Sequence, residues 1–256
     1  MKFKYVVLTA MMLPMMVLAQ EGVGFTADRP GASTGPDVLP LHRVQWETGV
    51  GFSRTFDSEA FTLNNTLLRY GLTNFAELRL GFDILNLRQR HTEDSNYGVS
   101  ALTIGSKIKM LEGAGLMPSV SALIEMACPH IGSRDFVPDH LAPSLYLLVN
   151  HDVADWLGIG YSAGAEWGGS DPAPAAFWAL TLSFAPVDKL GLFVESYNRY
   201  YQTKDPLLNS KGDYSVDFGV TYMVHPKVQL DVAADLNLQQ PDKYYAVSAG
   251  VAWQIN

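Results

Sequence analysis

The stretch VQWETGVGFS at residues 44–53 decides the fold. Val44, Trp46, Thr48, Val50 and Phe52 alternate with Gln45, Glu47, Gly49, Gly51 and Ser53, the period of two that gives a strand two unlike faces. Outward from it the pattern recurs to the end of the chain. Leu78, Leu80, Phe82 and Ile84 alternate with Glu77, Arg79, Gly81 and Asp83. Val228, Leu230, Val232, Ala234 and Leu236 alternate with Gln229, Asp231, Ala233, Asp235 and Asn237. Such runs predict twelve strands, at 44–55, 61–72, 76–87, 98–111, 116–127, 141–151, 156–168, 175–185, 190–201, 213–224, 228–238 and 244–255. The connections alternate in length. Short turns fall at 73–74, 112–115, 152–155, 186–189 and 225–227, and longer polar loops at 88–97, 128–140, 169–174, 202–212 and 239–243.

Outer-membrane barrels sort their connections this way, with an even strand number and strands of about ten residues. The two faces point to the same solvent pair. One is apolar, with aromatics near strand ends (Trp46, Tyr70, Trp156, Trp167, Trp178, Tyr201, Tyr222, Trp253), where interfacial girdles belong. The other is mostly Gly, Ser, Thr, Asn and Ala with isolated charges, which suits a lumen. The expected fold is therefore all-β: a transmembrane antiparallel up-and-down barrel over 41–256.

Composition agrees. Charged residues are 17% of the 256, against about 25% in soluble domains, while apolar content is 48%. That apolar fraction excludes disorder, and the lack of a long uninterrupted apolar run after the N-terminal segment excludes a helical bundle. A net charge of −8 argues against a nucleic-acid partner. The single cysteine, Cys128, excludes an intramolecular disulfide. Residues 1–19 read as a signal peptide: Lys2 and Lys4 precede an apolar stretch ending at Leu18-Ala19. Residues 20–40 read as an irregular periplasmic arm. It is long enough to fold back into the lumen, where Asp28 and Arg29 would join the charges described next, or to hang free as a leader.

Lumen charge is the sharpest functional feature. Glu47, Arg69, Glu77, Arg79, Lys107 and Lys109 lie near one rim on the polar face of consecutive strands, so opposite charges can pair. They form either a mixed-charge constriction or a structural network that fills the lumen. Further along the strands, Glu125, Glu166, Glu195, Asp217 and Asp235 face the lumen with Arg199 opposing them, which makes that half acidic. His130, Asp135, Asp139 and His140 in one loop lack the spacing of a tight metal site, and no metal is expected. No nucleophile motif, phosphate loop or dinucleotide fingerprint occurs, so neither catalysis nor a cofactor is expected.

Several segments carry a resemblance: Asp28-Arg29-Pro30, LRYGLTNFAELRLG at 68–81, LTIGSKIK at 102–109, Ile131-Gly132-Ser133, and APSLYLLVNH at 142–151 running on to Gly164–Trp167. Together they resemble the outer-membrane transporters grouped with the meta-pathway phenol-degradation proteins, in the form common in Bacteroidetes. The resemblance implies a passive channel for small molecules, hydrophobic or aromatic ones among them; the sorted loops and even strand number place the barrel in the outer membrane of a Gram-negative cell with both termini periplasmic. Its expected partners are outer-membrane lipid, a small-molecule solute and the barrel-assembly machinery. The alternatives are a structural or accessory barrel that partners another envelope protein, and an outer-membrane hydrolase.

Overall fold

The computed structural model describes residues 25–92, 94–115, 117–169, 173–200, 213–238 and 244–256. The expected signal peptide, the first part of the arm, Tyr201 and the loops at 202–212 and 239–243 lie outside the described residues. The described residues form thirteen strands: β1 (Val44–Arg54), β2 (Ser58–Gly71), β3 (Ala76–Gln89), β4 (Ser95–Val99), β5 (Thr103–Leu111), β6 (Ser119–Ala127), β7 (Ala142–Ala154), β8 (Leu157–Glu166), β9 (Ala175–Val187), β10 (Leu190–Tyr200), β11 (Asp213–His225), β12 (Val228–Asn237) and β13 (Tyr245–Gln254). Pairing is antiparallel throughout, and β1 pairs with β13 to close the sheet. Because β4 and β5 both pair with β3, they form one interrupted stave of a closed twelve-stave barrel.

That interruption corrects the expected strand 98–111. Between the Ile84–Val99 and Gly81–Thr103 pairs the β4–β5 side carries one residue more than β3, the excess that makes a bulge. Ser100 N still bonds Asp83 O on β3 at 2.8 Å, but Ala101 and Leu102 leave the ladder and bond a distant loop instead. Ala101 N donates to Phe136 O and Leu102 N to Ile131 O, while Cys128 N donates to Leu102 O and Ser133 N to Val99 O. The 128–136 segment thereby covers the free edge of β4, which would otherwise present unpaired backbone groups. Strand β2 also starts earlier than expected, because the Thr55 and Ser58 hydroxyls close a tight turn: Thr55 N bonds Ser58 O at 2.8 Å and Ser58 N bonds Thr55 Oγ1 at 3.0 Å.

The alternation sorts the side chains by solvent, and the sorting is inverted relative to a soluble protein. Val50 and Val232 are 56% and 59% exposed on the outer face, whereas Glu47, Glu77 and Lys107 on the inner face are 0% exposed. Burying ions while exposing aliphatic side chains is favourable only if the outer face meets lipid and the inner charges pair. Leu80, on the outer face between Leu68 and Ile104, tests the register. Leu80→Arg should cost about 2–4 kcal/mol of folding stability in lipid vesicles, the penalty for an arginine near the bilayer midplane of a barrel exterior. Urea titration of the refolded variant measures it, and an unchanged midpoint would put Leu80 in the lumen.

The start of β1 and the C-terminal end lie at one mouth, where Ile255 N bonds Val44 O; this is the near mouth. The turns 155–156, 188–189 and 226–227 are there, and the longer 128–141 connection is at the far mouth.

Candidate functional site

The lumen is occupied by the N-terminal arm. From Phe25 to Arg43 the chain forms no strand and folds back along the inner wall. The reason is chemical: the wall presents carboxylates, and the arm presents unpaired backbone N–H groups. Glu47 accepts from the amides of Asp28 and Arg29, Asp217 from Ala32 N at 2.9 Å, Glu195 from Ser33 N at 2.9 Å, and Glu77 from Leu39 N at 2.8 Å. Hydrogen bonds to ionised carboxylates are stronger than neutral ones. Basic groups of the wall hold the arm's carbonyls in turn. Lys107 Nζ reaches Gly35 O at 2.9 Å and Asp37 O at 3.1 Å, and Arg69 Nη1 reaches Thr26 O at 3.1 Å. Where the arm leaves the lumen, any Cβ on Gly71 would overlap the Pro40 carbonyl.

Asp28 is the hub. Its carboxylate contacts Lys107 at 2.8 Å, Arg69 at 3.5 Å and Arg79. Burial opposes its charged form, but the Arg69, Lys107 and Arg79 charges overcome this and hold the carboxyl well below the usual carboxylate range. Around it, Arg69 bonds Glu47 and Glu77 at 2.9 Å each, and Arg79 bonds Glu77 at 2.9 Å. The structure thus brings together Glu47, Arg69, Glu77, Arg79 and Lys107. Lys109 stands apart at the rim, on Asp37 at 3.3 Å and Glu112 at 2.9 Å.

The five carboxylates of the acidic group are divided. Glu125 belongs to the network, because Arg79 Nε reaches it at 2.9 Å; Gly105, standing between them in the ladder, leaves the path clear. Glu166 pairs with Arg199 at 2.9 Å and accepts from the Tyr146 hydroxyl at 2.7 Å. Glu195, Asp217 and Asp235 are successive cross-strand neighbours. The arm's backbone covers the first two, and the Tyr197 hydroxyl donates to Asp235.

Three features were missing from the sequence reading. Asp231 and Asn65 hold Arg29: its Nε and Nη2 bond the two Asp231 oxygens at 3.2 and 3.1 Å, and its Nη1 bonds Asn65 Oδ1 at 2.9 Å. An inward aromatic cluster of Tyr146, Phe177 and Tyr197 lies under the Arg199 guanidinium, which sits 5.1 Å from the Phe177 ring centre. Finally, the arm divides the lumen into two cavities. The far one, about 520 Å³, is lined by Asp83, Ser100, Tyr146, Glu166 and Phe177. The near one, about 470 Å³, is lined by Asn150, Gly158, Thr181 and Phe193. Residues 28–31, 33 and 34 border both. The arm thus takes the folded-back course, and all six rim charges bond it.

His151 pairs with Ile159 on the outer face and bonds the exposed Tyr161 hydroxyl at 3.1 Å. Among the described residues no group of three or more His, Cys, Asp or Glu is arranged to hold a metal ion.

The family described as "Putative MetA-pathway of phenol degradation" matches residues 27–255. The chain belongs to that family. Among solved structures, an outer membrane channel from Pseudomonas putida F1 superposes with a TM-score of 0.69 at 13% identity, covering 89% of this chain and 99% of that one. The NanC porin gives 0.57 at 11% identity, over 82% and 100% of the two chains. The KdgM porin, in complex with disordered oligogalacturonate, gives 0.55 at 8% identity, over 82% and 99%. The search of curated proteins found no match. The matched region of this phenol-degradation family member begins inside the arm, at the residue before Asp28. Arm and barrel are matched together.

Proposed function

We propose that the protein is an outer-membrane channel for the passive uptake of small molecules, hydrophobic or aromatic ones among them, closed at rest by its N-terminal arm. The observation that carries this reading is the arm's position across the lumen, between a cavity facing each mouth. A solute from the far mouth meets the Tyr146–Phe177–Tyr197 cluster, whose ring faces and Arg199 supply an apolar surface with a polar edge. It passes to the near cavity when the arm gives way. Liposome swelling with sugars, amino acids and small aromatics tests the reading. Swelling with at least one class supports a channel, and none with any class, even after the arm is removed, refutes it.

A structural barrel that partners another envelope protein is the second reading. Its support is the density of buried ion pairs around Arg69, which would rigidify the wall without any transport. A barrel that conducts nothing once the arm is gone would favour it.

The proposed orientation puts both termini in the periplasm of a Gram-negative cell and the far mouth outside. Ser95, exposed at the start of β4 beyond the 90–94 connection, reports on this. In a Cys128→Ser background, Ser95→Cys should react with an impermeant maleimide on intact cells. Reaction only after the outer membrane is opened would invert the topology.

A further inference from the structure

Arg29 does not lie in a general acidic patch. Its seat is shaped for a planar cation. Four residues on four neighbouring strands form one row across the wall, because Asn65 pairs with Gly49, Gly49 with Gly250, and Gly250 with Asp231. The two end residues supply acceptors. Asp231, whose side chain is 0% exposed, meets the guanidinium edge-on with both oxygens, and Asn65 Oδ1 takes the remaining edge. Asn65 cannot turn its amide round without losing a second bond, since its Nδ2 donates to Asp83 Oδ1 at 2.6 Å. The two middle residues supply a floor. A Cβ built on Gly49 or Gly250 would overlap the Arg29 guanidinium, so the flat group lies directly on backbone.

A tetrahedral ammonium would use one acceptor of this seat and leave the other unfilled. A guanidinium satisfies both and fits the floor. Arg29 and Asn65 also line the far cavity, so the seat borders space that a solute can enter. We propose that this cradle is a guanidinium-binding site of the lumen, filled in cis by Arg29, and that solutes carrying a guanidinium or amidinium group compete for it and release the arm. The proposal rests on the reading of the arm as the closing element and adds a ligand class that opens it.

The test uses the full mature chain and guanidinium chloride at millimolar concentration as the probe, with methylammonium chloride as control. In detergent, Arg29→Ala should bind guanidinium at least about tenfold more tightly than methylammonium, the factor given by about 1.4 kcal/mol for the second charge-assisted contact. Adding Asp231→Asn or Gly250→Ala to that variant should weaken binding by a similar factor. Gly250→Ala is the cleaner change, because the three nearest atoms to its Cβ all belong to Arg29, whereas a Cβ on Gly49 would also meet Ala249 O. In planar bilayers, guanidinium should raise wild-type conductance above that in potassium chloride of equal ionic strength.

Equal affinity for the two cations, or affinity indifferent to both second changes, would overturn the site. If arm deletion opened the pore under that result, the channel reading would survive alone. Tight, cradle-dependent binding without any rise in wild-type conductance would overturn release of the arm. Binding with conductance that stays closed even after arm deletion would instead count against the channel reading.

Discussion

Deleting residues 20–40 is expected to raise single-channel conductance by on the order of tenfold or more, since each 1.4 kcal/mol of lost docking energy is a tenfold change in the closed-to-open ratio. The expectation follows from what the arm covers. A twelve-strand barrel is intermediate between the side-chain-filled eight-strand type and the open sixteen-strand porin, and here the extra width holds a peptide. Without it the two cavities of about 520 and 470 Å³ would merge. The exposed wall would carry more carboxylates than cations, so the reversal potential in a salt gradient should move toward cation preference. Planar-bilayer recordings of the folded deletion variant measure both quantities. Conductance equal to wild type would show that the arm is not the barrier.

The second large effect is expected at Arg69. Its side chain is 0% exposed and is bound by Glu47, Glu77 and Asp28, with Thr26 and Asp37 carbonyls completing its shell. Arg69→Ala leaves buried carboxylates without their cation, which costs about 3–5 kcal/mol when one member of a buried pair is removed. The wall can recover part of this by admitting water, but only if the arm leaves. Arm docking should therefore fail before the barrel does. A cysteine at Ala27 in a Cys128→Ser background reports it: maleimide reaction should be slow in the parent and fast in Arg69→Ala. Urea unfolding of the barrel should shift less than labelling does. Arg69→Lys keeps one charge but loses the fork that spans Glu47 and Glu77, so it should fall between the two.

Much of the fold was legible because strand alternation is a local property. Trp46 and Val50 against Glu47 and Gly49 already separate lipid from lumen, and a register error would reverse them. The break at Ser100–Leu102 was not legible, since its cause is the 128–136 segment, remote in sequence and bonded through backbone groups that carry no side-chain signal. For the site, the charges near the rim were visible as residues on one face, and their mutual pairing followed from opposite sign on adjacent strands. The grouping of Glu125 with the acidic half failed because it treated each strand as a ruler. Arg79 is long enough to cross the empty place at Gly105. The inward ring of Phe177 was hidden within a run that is apolar on both faces, and that of Tyr197 within Glu195–Arg199, which is polar on both; in neither does period two give contrast. Asp231 drew no notice because its partner, Arg29, lies more than two hundred residues away in an arm without any period.

The pairing of Gly49 with Gly250 joins the first strand to the last, so Arg29 lies across the place where the barrel shuts. On the lumen face of that join small residues dominate: Glu47 faces Ala252, Gly51 faces Ser248 and Ser53 faces Ala246. Side chains of that size specify little about alignment. The guanidinium specifies much more. Sliding β13 by one position would turn Ala249 or Val251 inward under it, and sliding by two would put Ser248 or Ala252 there, each with a Cβ where the floor must be flat. Only one alignment of the first and last strands lets Arg29 lie down between Asn65 and Asp231. The segment that blocks the passage thus also acts as a clasp, fastening only when the ring has been joined correctly.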